Sequence, residues 1–368
     1  MKYVRKALAV LLVVVNLCAC SSASQPTPVV ESNAVAVEAA VVEPTVKTVE
    51  DDAGRTVEVP TQITKVAVSG SMAQMMLLAL APDTMVGLTS NWDDTASQYL
   101  DPAYFELPIL GQFYGSSAEF NYEELLAQEP QVIVDVGEYK DDLAADLDDL
   151  QAKTGIPVVH ISAELSTYDR AFELLGFVLG REEEAAVLSE YCSRVYDDTM
   201  AMMEAIGADK KDVVFCTGTE GTNVIAQGSY QAGLLDVMGN NIAVVESPTS
   251  KGTGDAVDFE QLLLWDPEVI IFNYGSAYET VADDPVWQEL QAIQTGSYYE
   301  APYGPYNWTG NPPSVQQILG MLWYGALLYP DAFTGDFLAQ VNEYYALFYH
   351  CTLSQEQLDG LLAHSIGA

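Results

Sequence analysis

Short, continuous apolar runs alternate with stretches of helical spacing through most of the chain. Lys65-Val66-Ala67-Val68-Ser69 is β-rich, Met72 to Leu80 is a Met- and Leu-rich helical stretch, and Met85-Val86-Gly87-Leu88, Val132 to Val136 and Val158 to Ile161 continue the series. The second half restarts it with Val213-Val214-Phe215, Asn223-Val224-Ile225, Ile242 to Val245 and Val269 to Phe272. Runs that are apolar at every position suit strands covered on both faces, so the pattern predicts mostly parallel sheets flanked by helices. Residues 168–206 carry apolar positions at helical spacing, broken by glycine but by no proline, and predict a long helix bent near Gly180. The elements add up to two α/β lobes joined by one long helix.

An internal repeat supports two lobes. Residues 122–134 read YEELLAQEPQVIV and residues 259–271 read FEQLLLWDPEVII. Each has an aromatic, a glutamate, a Leu-Leu pair, a proline and a closing Val-Ile run, with Glu123 matched to Glu260. The spacing is far longer than any solenoid or propeller period.

The first residues follow a different pattern. Lys2, Arg5 and Lys6 precede an apolar run from Ala7 to Val15, shorter than the roughly 20 residues a bilayer needs, which is the layout of an export signal. Leu17-Cys18-Ala19-Cys20 resembles the lipobox of bacterial lipoproteins, and the resemblance implies cleavage of residues 1–19 and a diacylglycerol on Cys20. Residues 20–48, rich in Ser, Pro, Val, Ala and Glu without periodicity, read as a flexible tether. The expected organisation then runs 49–166 for the first lobe, 167–211 for the connecting helix and 212–368 for the second lobe.

Composition narrows the function. The 368 residues are 49% hydrophobic and 18% charged, enough for two ordinary cores. A formal charge of −39, from 14 basic and 53 acidic residues, repels nucleic acid and anionic headgroups and excludes a nucleic-acid partner. Cys192, Cys216 and Cys351, odd in number and without a CxxC, make no disulfide framework. No GxSxG elbow, Walker loop, HExxH or dinucleotide fingerprint is present, so an enzyme is not expected. His160, His350 and His364 lie far apart, Asp51-Asp52 and Asp146-Leu147-Asp148-Asp149 read as solvated faces, and His160 reads as a satisfied core residue; no cofactor and no directly bound metal are expected.

The stretch Glu50 to Pro60, the repeated phrase, Leu179-Gly180-Arg181-Glu182-Glu183-Glu184-Ala185-Ala186, the run from Gly228-Ser229-Tyr230 to Gly239-Asn240, and Gly320-Met321-Leu322-Trp323 before Leu328-Tyr329-Pro330 together resemble the iron-siderophore and cobalamin type of ABC-transporter substrate-binding protein. The likeness extends from about residue 48 to the C-terminus. It implies two Rossmann-like lobes with a ligand cleft between them. It further implies that Glu123 and Glu260, one on each lobe's rim, pair with arginines of a membrane permease; as first-turn helix residues they also complement a helix dipole. Asn240-Asn241 and the variable stretch Asn307 to Pro313 depart from the family pattern, so ligand identity is not carried over.

Ligand contacts are expected from loops at the carboxyl ends of the strands. On the first lobe these loops offer Ser69, Ser71, Met72, Trp92, Phe113, Tyr114 and Tyr139; on the second they offer Thr219, Tyr230, Tyr274, Tyr303, Tyr306 and Trp308. About half of such loop aromatics would pack on their own lobe instead. From Asp212 onward Lys251 is the only lysine or arginine, and none of the loops holds an arginine to grip a polyanion. The expected function is a monomeric, lipid-anchored, extracytoplasmic solute-binding protein at the cell surface or in the periplasm. It would deliver a neutral or cationic iron-siderophore or related metal complex to an ABC permease. A corrinoid, a haem or a molybdate-type oxyanion is the alternative ligand, and a lipoprotein hydrolase or an adhesion scaffold the distant alternative function.

Overall fold

The computed structural model describes residues 45–113, 119–310 and 312–366. The expected signal peptide, Cys20, most of the expected tether and Tyr114 lie outside these residues. The chain opens with an antiparallel hairpin, β1 (Val46–Glu50) and β2 (Thr56–Pro60), so the first lobe begins inside the stretch that composition assigned to the tether.

The first lobe then runs β3 (Val66–Val68), α1 (Ser71–Leu80), α2 (Tyr122–Ala127), β4 (Val132–Gly137), α3 (Leu143–Thr154) and β5 (Val158–Ser162). Its sheet is parallel, ordered β3-β4-β5, with Val66 beside Val132 and Val134 beside Val159. Every residue of β3 and β4 is buried, as the unbroken apolar runs require.

Two helices follow, α4 (Tyr168–Leu179) and α5 (Glu182–Ile206). The expected bend is a full reversal: Gly180 caps α4 in the left-handed region, at φ 68°. The helices lie antiparallel, because Ser189 Oγ comes 3.4 Å from Glu173 Oε1 and a Cβ on Gly176 would sit 2.4 Å from that of Ala185. The long connector is therefore α5 alone, 25 residues or roughly 37 Å of helix leading into the second lobe.

The second lobe contains β6 (Asp212–Thr217), β7 (Asn223–Val224), α6 (Gly233–Met238), β8 (Asn240–Asn241), β9 (Asp255–Ala256), α7 (Phe259–Trp265), β10 (Val269–Phe272), α8 (Tyr278–Val281), α9 (Gln291–Thr295) and β11 (Tyr298–Glu300). It closes with α10 (Gln317–Leu328), α11 (Phe337–Phe348) and α12 (Gln355–Leu362). Its sheet is ordered β11-β10-β6-β7-β9, with β8 parallel to β6. The parallel set β6-β10-β11 repeats β3-β4-β5, and the short antiparallel pairings of β7 are the departure. The repeated phrase forms α2–β4 and α7–β10, with Asn121 and Asp258 accepting the N–H of Glu124 and Gln261 as matched N-caps.

Buried phenols give the core a pH dependence. Desolvation pushes Tyr99 up to about 12, with the Cys351 thiol and Tyr274 adding to it, and burial pushes Tyr344 and Tyr345 of α11 upward as well. A raised folded value contributes stability that is fully present below the unfolded value of 10 and is lost as pH rises through the folded one. The urea midpoint should therefore fall as pH rises from about 9, one unit below the unfolded value, to about 12, the folded value of Tyr99. An unchanged midpoint would contradict this reading of the aromatic core.

Candidate ligand-binding site

A cavity of 270 Å³ lies between the lobes. The first lobe lines it with Ser69, Gly70, Ser71 and Met72 where β3 passes into α1, with Gln112, with Asp135 to Glu138 at the end of β4, and with Lys140, Leu143 and His160. The second lobe contributes Tyr230, Gln231 and Ser250, and Pro312 and Pro313 complete the wall. Parallel strands direct their carboxyl ends to one edge of the sheet, which is why these residues converge.

The floor is a buried polar chain. The Ser69 hydroxyl donates to Asp135 Oδ1, while Asp135 Oδ2 lies 2.7 Å from His160 Nδ1 and His160 Nε2 lies 3.2 Å from Ser162 Oγ. Ser69, Asp135 and His160 are all at most 3% exposed, and a carboxylate so buried requires such partners.

The β1–β2 turn holds this floor in place. Asp51 accepts the His160 N–H at 3.1 Å and the Arg55 guanidinium at 2.6 Å; Asp52 accepts the Ser162 N–H at 2.9 Å and the Arg170 guanidinium at 3.0 Å. Asp51 and Asp52 are thus not the solvated face expected of them. Asp51 is buried because it must satisfy the end of β5 and the arginine together.

On the opposite wall, a 3-10 turn at Tyr230–Ala232 brings the Tyr230 hydroxyl to 3.7 Å from Met72 Sδ across the cleft. Burial, then Glu138 and Glu164, pushes the Tyr230 phenol up to about 12, so the hydroxyl facing the cleft keeps its proton. Gln231 Nε2 donates to the Ser250 carbonyl at 2.7 Å. At the floor, α1 has no side-chain N-cap, and its first-turn N–H groups have no acceptor within the helix. Among the described residues Lys140 is the only lysine or arginine lining the cavity, and it lies 3.4 Å from Glu138.

The structure brings together four of the expected contacts, Ser69, Ser71, Met72 and Tyr230. Tyr139 is exposed beside the rim, and Phe113 packs on Phe120 while its N–H donates to the Ser69 carbonyl at 2.7 Å. Trp92 donates its indole N–H to the Tyr104 carbonyl at 3.1 Å and sets its ring edge-on to Tyr306, whose hydroxyl accepts from Gln74 at 2.8 Å. These rings pack the lobes together and line no part of the cavity. Thr219 is exposed in the turn after β6. Tyr274 and Tyr303 stack at 4.7 Å beside a separate hollow of 360 Å³ that shares no lining residue with the cleft. Trp308 lies in the core rather than on the cleft: it is fully buried, with its indole N–H 3.4 Å from the Tyr345 hydroxyl. The left-handed backbone at Gly310 (φ 111°) belongs to the loop that folds it inward.

Sequence reasoning passed over Asp135, Lys140, Gln231 and Ser250, placed Gln112 and Glu138 in the expected loops without singling them out, and gave His160 to the core. Asp135 carried the one available signal, a lone charge inside the apolar strand Val132–Gly137, where it must find a partner. Among the described residues no group of His, Cys, Asp and Glu is arranged to hold a metal ion. Glu123 and Glu260 are both exposed, at the first turns of α2 and α7.

Solved structures share this architecture. An ABC transporter solute-binding protein from Sulfurospirillum deleyianum is 28% identical with a TM-score of 0.79, and the match covers 86% of this chain and 99% of that one. A periplasmic solute-binding protein from Veillonella parvula is 22% identical with a TM-score of 0.72, covering 87% and 98%. The molybdate periplasmic binding protein MolA of Haemophilus influenzae, solved with molybdate bound, is 21% identical with a TM-score of 0.65, covering 84% and 99%. Comparison with curated protein sequences finds no match. No helix among the described residues is long and apolar enough to cross a membrane. The family model described as periplasmic binding protein matches residues 33–303, most of the length over which the two lobes and their cleft are built, and the chain belongs to that family.

Proposed function

We propose that this protein is the lipid-anchored, extracytoplasmic binding component of an ABC importer, and that it captures a compact, neutral or cationic metal chelate of the hydroxamate type in the interlobe cavity. The observation that carries the reading is the cavity's lining: Asp135 and Glu138 on one wall, with Lys140 paired to Glu138, the neutral phenol of Tyr230 on the other, and no arginine among the described residues. A polyanionic chelate would be repelled there, whereas a neutral or cationic one needs only the hydroxyls, amides and ring face that are present. The volume of 270 Å³ is just below that of ordinary small-molecule sites, about 300–1,000 Å³, which weighs against a ligand as large as a corrinoid.

Isothermal titration with ferrioxamine-type hydroxamates, cobalamin, haem and molybdate, each at low and high salt, tests the proposal. The hydroxamate should bind saturably, with little loss at high salt because few charge pairs contribute. Tyr230→Ala should weaken it by about 1–3 kcal/mol, chiefly through lost buried area. Tight binding of an anionic catecholate that collapses at high salt would refute the charge argument.

A molybdate-type oxyanion is the second reading. It is favoured by the first-turn N–H groups of α1 at the cavity floor, and the molybdate bound by MolA is in keeping with it. The two carboxylates beside those groups weigh against it. A hydrolase would have to present the Ser162 hydroxyl, next in line from Asp135 and His160, to the cavity, and Ser162 is not among its lining residues.

The anchor rests on the lipobox-like run ending at Cys20. Cys20→Ala should move the protein from the detergent-partitioning fraction to the soluble one, or leave the precursor unprocessed, with the fold of residues 45–366 intact. A processed variant that still partitions with detergent would rule this anchor out.

A further inference from the structure

Gln231 stands between two cavities. On one side is the cleft; on the other is a cavity of 10 Å³ whose wall includes Gln231, Tyr324, Leu235, Thr309 and Gly310. Two buried polar atoms from this wall, Gln231 Oε1 and Tyr324 Oη, have no hydrogen-bond partner among the described residues. Tyr324 is fully buried on α10, and burial pushes its phenol upward, so the hydroxyl keeps its proton. The Gln231 amide is oriented by the bond from Nε2 to the Ser250 carbonyl, which leaves Oε1 as an acceptor.

Each orphaned group would cost about 1–3 kcal/mol if left unpaired. A cavity of about 10–15 Å³ with two or more polar partners is what a single buried water needs. We infer that one water is bound in this cavity, accepting the hydroxyl hydrogen of Tyr324 and donating to Gln231 Oε1. Phe215, Ile225 and Gly252 also line the cavity.

The water ties the cleft wall to the core. Gln231 is then held at both ends of its amide, by Ser250 and by the water, and the same short turn carries Tyr230 to Met72. This consequence for ligand affinity rests on the cleft being the ligand site, as proposed above; the water itself does not.

A crystal structure of the ligand-free protein, at a resolution that shows ordered water, tests the site directly. One density peak should lie about 2.7–3.2 Å from both Gln231 Oε1 and Tyr324 Oη. It should disappear in Tyr324→Phe, which keeps the ring and removes only the donor. A wild-type structure without the peak, or with Gln231 bonded directly to Tyr324, would overturn the inference. If the site also sets the cleft wall, Tyr324→Phe should weaken binding of a ferrioxamine-type hydroxamate by about fivefold, roughly the 1 kcal/mol of one net hydrogen bond. Unchanged affinity in a variant that has lost the water would overturn the positioning role. A wild-type protein that binds no hydroxamate while showing the peak would count against the proposed function alone.

Discussion

Asp135→Ala should lower the unfolding free energy by about 3–5 kcal/mol, the largest single loss expected outside the apolar core. Removing the carboxylate leaves the almost fully buried Ser69 hydroxyl and His160 Nδ1 without their shared partner, at about 1–3 kcal/mol for each orphaned group. For a protein whose total stability is about 5–15 kcal/mol, such a loss is a large fraction. It should appear as a fall in the urea midpoint with the slope unchanged. Ligand binding should fail with it, because Ser69, Asp135 and His160 are all part of the cavity lining. Asp135→Asn keeps the shape and one acceptor and should cost less. Wild-type stability in the alanine variant would mean that the buried chain does not form.

The second large effect concerns delivery. In the paired variant Glu123→Arg with Glu260→Arg, uptake of the transported chelate into cells that rely on this protein should be abolished, while binding by the purified protein keeps its affinity. The two carboxylates are exposed, occupy the same position in repeated helix–strand units, and sit one on each lobe. Two charges so placed can register a partner's orientation, which sets specificity and association rate more than affinity. If they only complement the dipoles of α2 and α7, each reversal would cost about 0.3–1 kcal/mol of stability and leave uptake intact. Undiminished uptake would remove the docking role.

The lobes were legible because burial on both faces writes itself into a strand as an unbroken apolar run. Val132 to Val136 and Val269 to Phe272 are central strands for that reason, and their matched flanking helices announced the duplication. The reversal at Gly180 was not legible, since a helix bent at glycine and a helical hairpin share one apolar period and differ only in what the two faces meet. The cleft was half legible. Ser69, Ser71 and Met72 follow directly from the end of a parallel strand, and Tyr230 from its loop. Trp308 shows the limit: a Gly- and Pro-rich loop frees an indole from helical packing, but it does not decide whether the ring turns outward to a ligand or inward to Tyr345. The Asp135–His160 pair joins two strands distant in sequence, and only the sheet register, with Asp135 beside His160, places them together.

The central claim is that the ligand sits between the first turn of α1 and Tyr230. A crystal structure of the protein saturated with the tightest-binding member of the titration panel tests it most directly. Ligand density is expected in the cavity bounded by Ser69, Ser71, Met72, His160 and Tyr230, in contact with both lobes. Density confined to the hollow beside Tyr274 and Tyr303, with that cavity filled only by solvent, would contradict it.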